Sequence, residues 1–182
     1  MKNHVFILSI VGIVSVFGIL FCFGCQPKKN MVSNKEVATS LKKSFDAKAT
    51  IKMKDLVLTA DINKTAVGCA TIKISEPKSL KDMKFEYDGK DVKIGYKGLS
   101  VKLDENSKLV SSLVAIIVNS IDKAASESGV SVKVEGKVLV VSGESESGKF
   151  AITIDRESGS IASINLPELD FECHFDDFLV KQ

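Results

Sequence analysis

Apolar and polar residues alternate along most of the chain, first with the period of a helix and then with that of a strand. Val37, Leu41 and Phe45 are spaced by four, which predicts a helix that begins near Lys35 and is capped by the preceding serine or asparagine. From residue 49 onwards the period is two, interrupted by an apolar segment in the middle of the chain. The predicted strands cover residues 49–53, 56–62, 66–75, 83–87, 92–96, 99–103, 130–135, 138–142, 150–155, 160–166 and 169–175.

Turn residues separate these strands. Asp88-Gly89-Lys90 and Lys97-Gly98 lie between short alternating segments, and Asp-Gly in that context is a strong hairpin signal. Pro77 ends the strand before them, because proline cannot donate to the ladder of a sheet. The sequence therefore predicts an antiparallel meander in the first half of the chain.

The central segment, residues 106–126, returns to the helical period and ends before Gly129. Its apolar stripe is too broad for a helix lying on a surface, and it predicts a helix covered by the sheet. Serine, asparagine and charged residues interrupt the apolar pattern and argue against membrane insertion of this helix. The stripe consists of Leu109, Leu113, Ile116, Ile117, Ile121 and Ala124, widened by Val110 and Val114.

These elements together predict an α+β fold for residues 35–182, taken as one domain. The strands form one large, curved antiparallel sheet of about ten or eleven strands. Such a sheet twists and curls, and its inward residues need cover, which the central helix supplies. A helix inside a curled sheet leaves either a filled core or a hydrophobic cleft, and the pattern alone does not decide between them.

The first 25 residues show a different pattern. Lys2 precedes an apolar run that extends to Phe23, and Gly24 and Cys25 close the run before the chain turns polar. A basic N-terminal residue, an apolar segment and a small residue at the cleavage site are the parts of an export signal. A cysteine directly after that small residue resembles the lipobox of bacterial lipoproteins.

That resemblance implies a signal peptide over residues 1–24 and a diacylglyceryl group on Cys25, which becomes the mature N-terminus. Residues 25–34 are then a lipidated tether. The alternative is an uncleaved membrane helix, because the run is close to the roughly 20 residues that span a bilayer. Either interpretation fastens the rest of the chain to a membrane, outside the cytoplasm.

Charge and composition argue against nucleic-acid binding. The chain has 25 basic and 23 acidic residues, and Arg156 is its only arginine. Lysine lacks the planar fork with which arginine binds phosphates, and no basic cluster is evident, so nucleic acid is not an expected partner.

Little in the sequence points to catalysis or to a metal. His174 is the only histidine after the leader, and no Gly-x-Ser-x-Gly motif is present, which argues against a hydrolytic triad. Glu172, His174 and Asp176 share one face of the last strand, but a solvated polar face explains them better than a metal site. No catalytic residue, metal or cofactor is therefore assigned. Whether Cys69 and Cys173 form a disulfide is left open, because export permits one.

The element order and three turn motifs resemble the half-barrel of the bacterial lipoprotein-localisation carriers (LolA/LolB-like) and their lipid-binding lipoprotein relatives. The motifs are the proline-ended strand 72–77, the meander turn 85–90 and the acidic-glycine turn 155–159. The resemblance implies an apolar cavity for acyl chains and a non-catalytic, lipid-binding function. The alternative is an envelope protein–protein interaction module with a filled core and no ligand. The candidate cavity residues are Leu109, Leu113, Ile116, Ile117, Ile121, Phe85, Phe150, Phe171 and Phe175.

The anchor generates a direct prediction. Replacing Cys25 with serine removes the thiol that accepts the diacylglyceryl group, so we expect the Cys25→Ser variant to incorporate no labelled fatty acid. Metabolic labelling followed by immunoprecipitation measures this, and Cys22→Ser serves as the matched control that keeps its label. Equal labelling of the Cys25→Ser variant and the unaltered chain would contradict a lipid anchor at this position.

Overall fold

The computed structural model describes residues 34–103 and 113–181. Within them, eleven strands form one antiparallel sheet in the order β6-β5-β4-β3-β2-β1-β11-β10-β9-β8-β7. The strands are β1 (Phe45–Met53), β2 (Leu56–Ala66), β3 (Cys69–Glu76), β4 (Lys84–Asp88), β5 (Val92–Tyr96), β6 (Leu99–Leu103), β7 (Val130–Glu135), β8 (Val138–Ser145), β9 (Gly148–Asp155), β10 (Ile161–Leu166) and β11 (Phe171–Val180). The described chain also holds two α-helices, α1 (Asn34–Leu41) and α2 (Leu113–Ala125).

The predicted α+β fold with a large antiparallel sheet is confirmed, and the first and last strands meet in its middle. β1 pairs with β11, so each half of the sheet is a meander of consecutive strands. Pro167–Leu169 forms a single 3-10 turn between β10 and β11. Among the described residues, no helix has the length and apolar character needed to cross a bilayer.

Several element boundaries differ from the sequence prediction. Phe45 belongs to β1 and not to the first helix, because its ring stacks on Phe178 of β11 with centroids 4.5 Å apart. β2 and β3 are divided at Gly68, whose φ of +75° makes the turn that the alternating pattern concealed. The predicted start of the central helix at residue 106 falls outside the described residues.

Helix α2 forces the sheet to curve. It contacts β3 and β4 on one side and β8 and β9 on the other. β4 and β8 are seven positions apart in the sheet, which is about 34 Å when the sheet is flat. The helix has 13 residues and is only about 20 Å long. Both sets of contacts form only because the sheet wraps around the helix as a half-barrel.

The core lies between this helix and the inner face of the sheet. Ten of the helix residues are buried, and the strands contribute alternate residues such as Ile51, Ile72 and Ile152, each with 0% exposure. Alternation with a period of two puts these residues on one face. Helix α1 packs against α2 and adds Val37 and Leu41 to the same core.

A buried ion pair fixes the C-terminal part of α2 to the sheet. Lys64 faces the core in phase with Leu58, Ala60 and Ile62 of β2, and its side chain is only 1% exposed. Its Nζ lies 3.1 Å from Asp122 Oδ1 and donates a hydrogen bond of 2.9 Å to the carbonyl of Ala66. The backbone N–H of Gly68 donates to Asp122 Oδ2 at 2.6 Å. The β2–β3 hairpin and the helix are therefore joined through one carboxylate.

This ion pair predicts a marked asymmetry between single and double substitutions. Asp122→Asn keeps an oxygen for the Gly68 N–H but leaves the Lys64 ammonium buried without a charge partner. We expect it to lower the free energy of unfolding by about 3–5 kcal/mol. Adding Lys64→Met removes the unpaired charge and should restore most of that loss. Urea denaturation followed by circular dichroism measures both changes.

The matched control is Asp61→Asn, the same substitution at an exposed position of β2. It should change the free energy of unfolding by less than about 0.5 kcal/mol. A double variant less stable than Asp122→Asn alone would show that the pair does not act as the structure indicates.

Candidate functional site

The space beneath the middle of α2 is filled. Ile116, Ile117 and Ile121 are at most 1% exposed and belong to the hydrophobic core. Protein interiors at native packing density leave few voids larger than a water molecule. A ligand therefore has no room under this part of the helix.

An apolar cleft opens instead at the N-terminal end of α2. Leu113 borders it from the helix, and strands β1 to β6 with the β3–β4 loop form its other walls. Its volume is about 350 Å³, towards the low end of the roughly 300–1,000 Å³ typical of ligand sites. The lining residues are Met53, Leu56, Leu58, Ile74, Leu80, Met83, Phe85, Ile94, Leu103 and Leu113.

The β3–β4 loop is held in place by its own backbone. The N–H of Leu80 donates to the carbonyl of Pro77 at 2.9 Å, and that of Met83 donates to Leu80 at 3.0 Å. The N–H of Asp82 donates to the carbonyl of Ile74 at 2.9 Å. The N–H of Ile74 in turn donates to the carbonyl of Met83, also at 2.9 Å. This ordered loop positions the side chains of Leu80 and Met83 on the cleft wall.

The chemistry of the lining favours an apolar ligand. All ten side chains that line the cleft within residues 34–103 and 113–181 are hydrocarbon or thioether. Met53 and Met83 have flexible, polarisable side chains that adapt to irregular shapes. A ligand that fits this wall is a chain or ring of carbon atoms, with any polar group left at the mouth.

The sequence-predicted cavity residues divide between the cleft and the core. Phe85 and Leu113 line the cleft. Phe150 and Phe171 are buried in the core, 3% and 1% exposed, as are the three isoleucines of α2. Leu109 lies outside the described residues.

Phe175 takes part in an aromatic cluster. Its ring meets that of Phe45 edge to face at 6.1 Å and that of Phe178 at 5.9 Å. Aromatic pairs in this geometry stabilise a core beyond the area that they bury. The cluster holds β11 against β1 and is not part of the cleft.

Sequence reasoning missed most of the cleft wall. Leu58, Ile74 and Ile94 lie on the inward phase of their strands, so alternation could have marked them as interior residues. Nothing in the sequence distinguished them from residues that end in the filled core. Leu80 and Met83 come from a loop and had no periodic signal at all.

A larger hollow on the outer face of the sheet has a different character. It has a volume of about 630 Å³ and mixes opposite charges along β1, β10 and β11, including Lys52, Asp55 and Glu172. Lysines and carboxylates both line it, so the hollow does not present a single sign of charge to a ligand. The smaller apolar cleft is therefore the better candidate site.

The polar face of β11 remains exposed. His174 Nε2 lies 3.9 Å from Glu172 Oε2, and both side chains are largely in solvent. Across residues 34–103 and 113–181, no three His, Cys, Asp or Glu side chains come together as metal ligands.

Cys69 and Cys173, the two cysteines among the described residues, are free thiols in different surroundings. Cys173 is fully buried, and burial, with a smaller contribution from Asp176, raises the pKa of its thiol well above the usual range. Cys69 lies half-buried at the start of β3. The disulfide that the sequence left open is not formed.

Comparison with known proteins supports the fold and leaves the function open. No protein-family model matches the chain, and no curated protein matches it at a significant level. An uncharacterised conserved protein from Thermus thermophilus is structurally similar, with a TM-score of 0.52 and 10% identity. The match covers 80% of this chain and 83% of that one, and at this identity it shows a shared fold alone.

Two further solved structures are similar at lower scores. A LolA superfamily protein from Nitrosomonas europaea matches with a TM-score of 0.48 and 12% identity, covering 82% of this chain and 92% of that one. A chain from the complex of the CwlD amidase and the GerS lipoprotein of Clostridioides difficile has a TM-score of 0.42 and 12% identity, covering 76% and 82%.

The free thiols give a prediction about reactivity. Only the thiolate attacks an alkylating agent, so the buried Cys173 should resist iodoacetamide at pH 8 while Cys69 is modified. Residue-specific mass spectrometry of the native and the urea-unfolded protein measures the two rates. Cys173 should react at the rate of Cys69 only after unfolding, and equal rates in the native protein would contradict its burial.

Proposed function

We propose that this protein is a membrane-anchored lipoprotein whose domain, residues 35–182, binds an apolar acyl ligand without catalysing a reaction. The anchor is the diacylglyceryl group on Cys25, and the ligand lies in the apolar cleft beside Leu113. The observation that carries the proposal is the cleft, which has a volume of about 350 Å³ and whose lining, among the described residues, consists of apolar side chains.

Hydrophobic burial supplies the binding energy. Each methylene removed from water contributes about 0.8 kcal/mol, so an acyl chain with six to eight methylenes in the cleft gains roughly 5–6 kcal/mol before the costs of association. This binding free energy includes no hydrogen bond between the ligand and the cleft wall. A binder of this kind selects by shape and apolar character, which suits a lipid ligand.

The anchor and the tether place the cleft close to its source of ligand. Eight residues lie between Cys25 and Asn34, so nine Cα–Cα steps of at most about 3.6 Å each join them. The first residue of α1 is therefore within about 30 Å of an anchored Cys25. This arrangement makes the bilayer the nearest reservoir of acyl chains.

An envelope protein–protein interaction module is the second candidate, and one observation favours it. Leu99 and Val101 on β6 are 76% and 60% exposed, and β6 is an edge of the described sheet. Exposed edge strands pair readily with an extended segment of another protein. In that function, Leu99→Thr/Val101→Thr would reduce cross-linking to the partner, and the unaltered protein would bind no acyl chain.

The cleft predicts a size-dependent loss of binding. Leu80→Trp places a large ring in the cleft, so we expect the Kd for a fluorescent fatty-acid analogue to rise at least about tenfold, or about 1.4 kcal/mol. Fluorescence titration measures the Kd, and displacement by unlabelled palmitate shows that the site takes an acyl chain.

Leu179→Trp is the matched control, since Leu179 is 69% exposed and pairs with Asp46, at the opposite end of β1 from the cleft residue Met53. It should bind the analogue as the unaltered protein does. The proposal fails when the unaltered protein binds no acyl chain or when both tryptophan variants bind equally.

A further inference from the structure

The chain is nearly neutral overall, yet its charges are separated. Residues 34–103 contain fifteen lysines and nine acidic residues. Residues 113–181 contain six basic and twelve acidic residues. The two segments therefore carry formal charges of equal size and opposite sign, which overall composition conceals.

The topology turns this separation along the sequence into a separation in space. Because β1 and β11 meet at the middle of the sheet, β1 to β6 form one contiguous half and β7 to β11 form the other. We call these the basic half and the acidic half. An ion pair between Lys181 Nζ and Asp46 Oδ2, 3.0 Å apart, lies where the two halves join.

The apolar cleft belongs to the basic half. Apart from Leu113 of α2, every described residue of its wall comes from β1 to β6 or the β3–β4 loop. The turns β1–β2, β3–β4 and β5–β6 lie at the same edge of the antiparallel meander. The cleft residues Met53, Leu80 and Met83 lie in or beside these turns. These turns present four exposed lysines, Lys54, Lys78, Lys81 and Lys97.

Acidic side chains at this edge are partly neutralised. Asp55, Glu76 and Asp82 lie in or beside the same turns, and Asp170, whose carbonyl accepts a hydrogen bond from the Lys54 N–H, lies beside the β1–β2 turn. Asp82 is ion-paired with Lys73, whose Nζ lies 3.0 Å from Asp82 Oδ1, and this contact lowers the pKa of the Asp82 carboxyl. With Lys73 included, five lysines and four carboxylates lie at this edge, which leaves a small excess of positive charge beside the cleft.

We propose that the basic half, with the mouth of the cleft, faces an anionic bilayer surface and that the acidic half faces away from it. Lysine ammonium groups attract anionic lipid headgroups, and the acidic half is repelled by the same surface. The inference rests on the proposed function, because it gives the cleft a direct approach to membrane lipid. It adds an orientation and a lipid charge that the cleft alone does not specify.

Residue-specific amine labelling tests the orientation. The full chain is reconstituted through its N-terminal segment into vesicles of one part phosphatidylglycerol to three parts phosphatidylcholine, or of phosphatidylcholine alone. A membrane-impermeant acetylating reagent then modifies outward-facing lysines, and mass spectrometry gives the rate at each position. The comparison is between the cleft-edge lysines Lys54, Lys78, Lys81 and Lys97 and the acidic-half lysines Lys133, Lys137 and Lys149.

On anionic vesicles, we expect the cleft-edge lysines to react at least about threefold more slowly than on phosphatidylcholine, with the acidic-half lysines unchanged. The Debye length is about 8 Å at physiological salt and about 3 Å at 1 M, so 1 M NaCl should remove the protection. Equal rates at both sets of lysines, or the same protection on both kinds of vesicle, would overturn the proposal.

Charge reversal supplies matched variants. Lys54→Glu/Lys78→Glu/Lys81→Glu should abolish the protection of Lys97 on anionic vesicles. Lys133→Glu/Lys137→Glu/Lys149→Glu changes the net charge equally but alters only the acidic half, so Lys97 should stay protected. All six substituted lysines are exposed, and thermal unfolding verifies that both variants remain folded. Equal behaviour of the two variants would overturn the proposed orientation.

The lysine-labelling experiment and the acyl-binding experiment test separate claims, so either can fail while the other succeeds. Protection of the cleft-edge lysines in a protein that binds no fatty acid would keep the docking surface and remove the proposed ligand. Fatty-acid binding without protection would keep the ligand and remove the docking surface.

Discussion

The fold depends on the burial of one apolar helix. Ten of the 13 residues of α2 are buried, so the helix needs cover on more sides than a flat sheet provides. The sheet supplies that cover by curving until strands far apart in its order contact the same helix. Its curvature is therefore a consequence of the helix sequence as much as of strand twist. The division into two meanders then follows, since β1 and β11 meet at the middle of the curve.

The Lys64–Asp122 ion pair sets the position of the helix within this curve. Apolar contacts are non-directional and would tolerate several placements of α2. A lysine on the inner face of β2 restricts them, because its ammonium is buried and its partners among the described residues are the α2 carboxylate and the Ala66 carbonyl. A one-residue slip of β2 would also move Lys64 to the outer face. We infer that this pair contributes more to a unique register than to net stability.

Much of the fold was predictable because alternation has a strong physical cause. Strands with one buried face repeat every two residues, and the Asp88-Gly89 and Lys97-Gly98 turns fixed the meander between them. The β2–β3 turn was missed because Val67-Gly68 continues the alternating pattern. The site was harder to predict, since Leu113 and Ile117 look alike in sequence. Only the packing of the β3–β4 loop and the sheet decides that the first borders a cleft and the second lies in a filled core.

The location of the cleft follows from the way the helix is held. Near its C-terminal end, Asp122 is joined to the β2–β3 hairpin, and Tyr87 lies beside Asn119 with its hydroxyl 3.5 Å from the amide oxygen. Burial, followed by the negative charges of Glu146 and Asp122, raises the pKa of the Tyr87 hydroxyl. At the opposite end, Leu113 meets a wall of flexible apolar side chains. A ligand that enters there displaces water from apolar surface and breaks no ion pair. The same curved sheet can therefore keep its register at one end of the helix and leave space for an apolar ligand at the other.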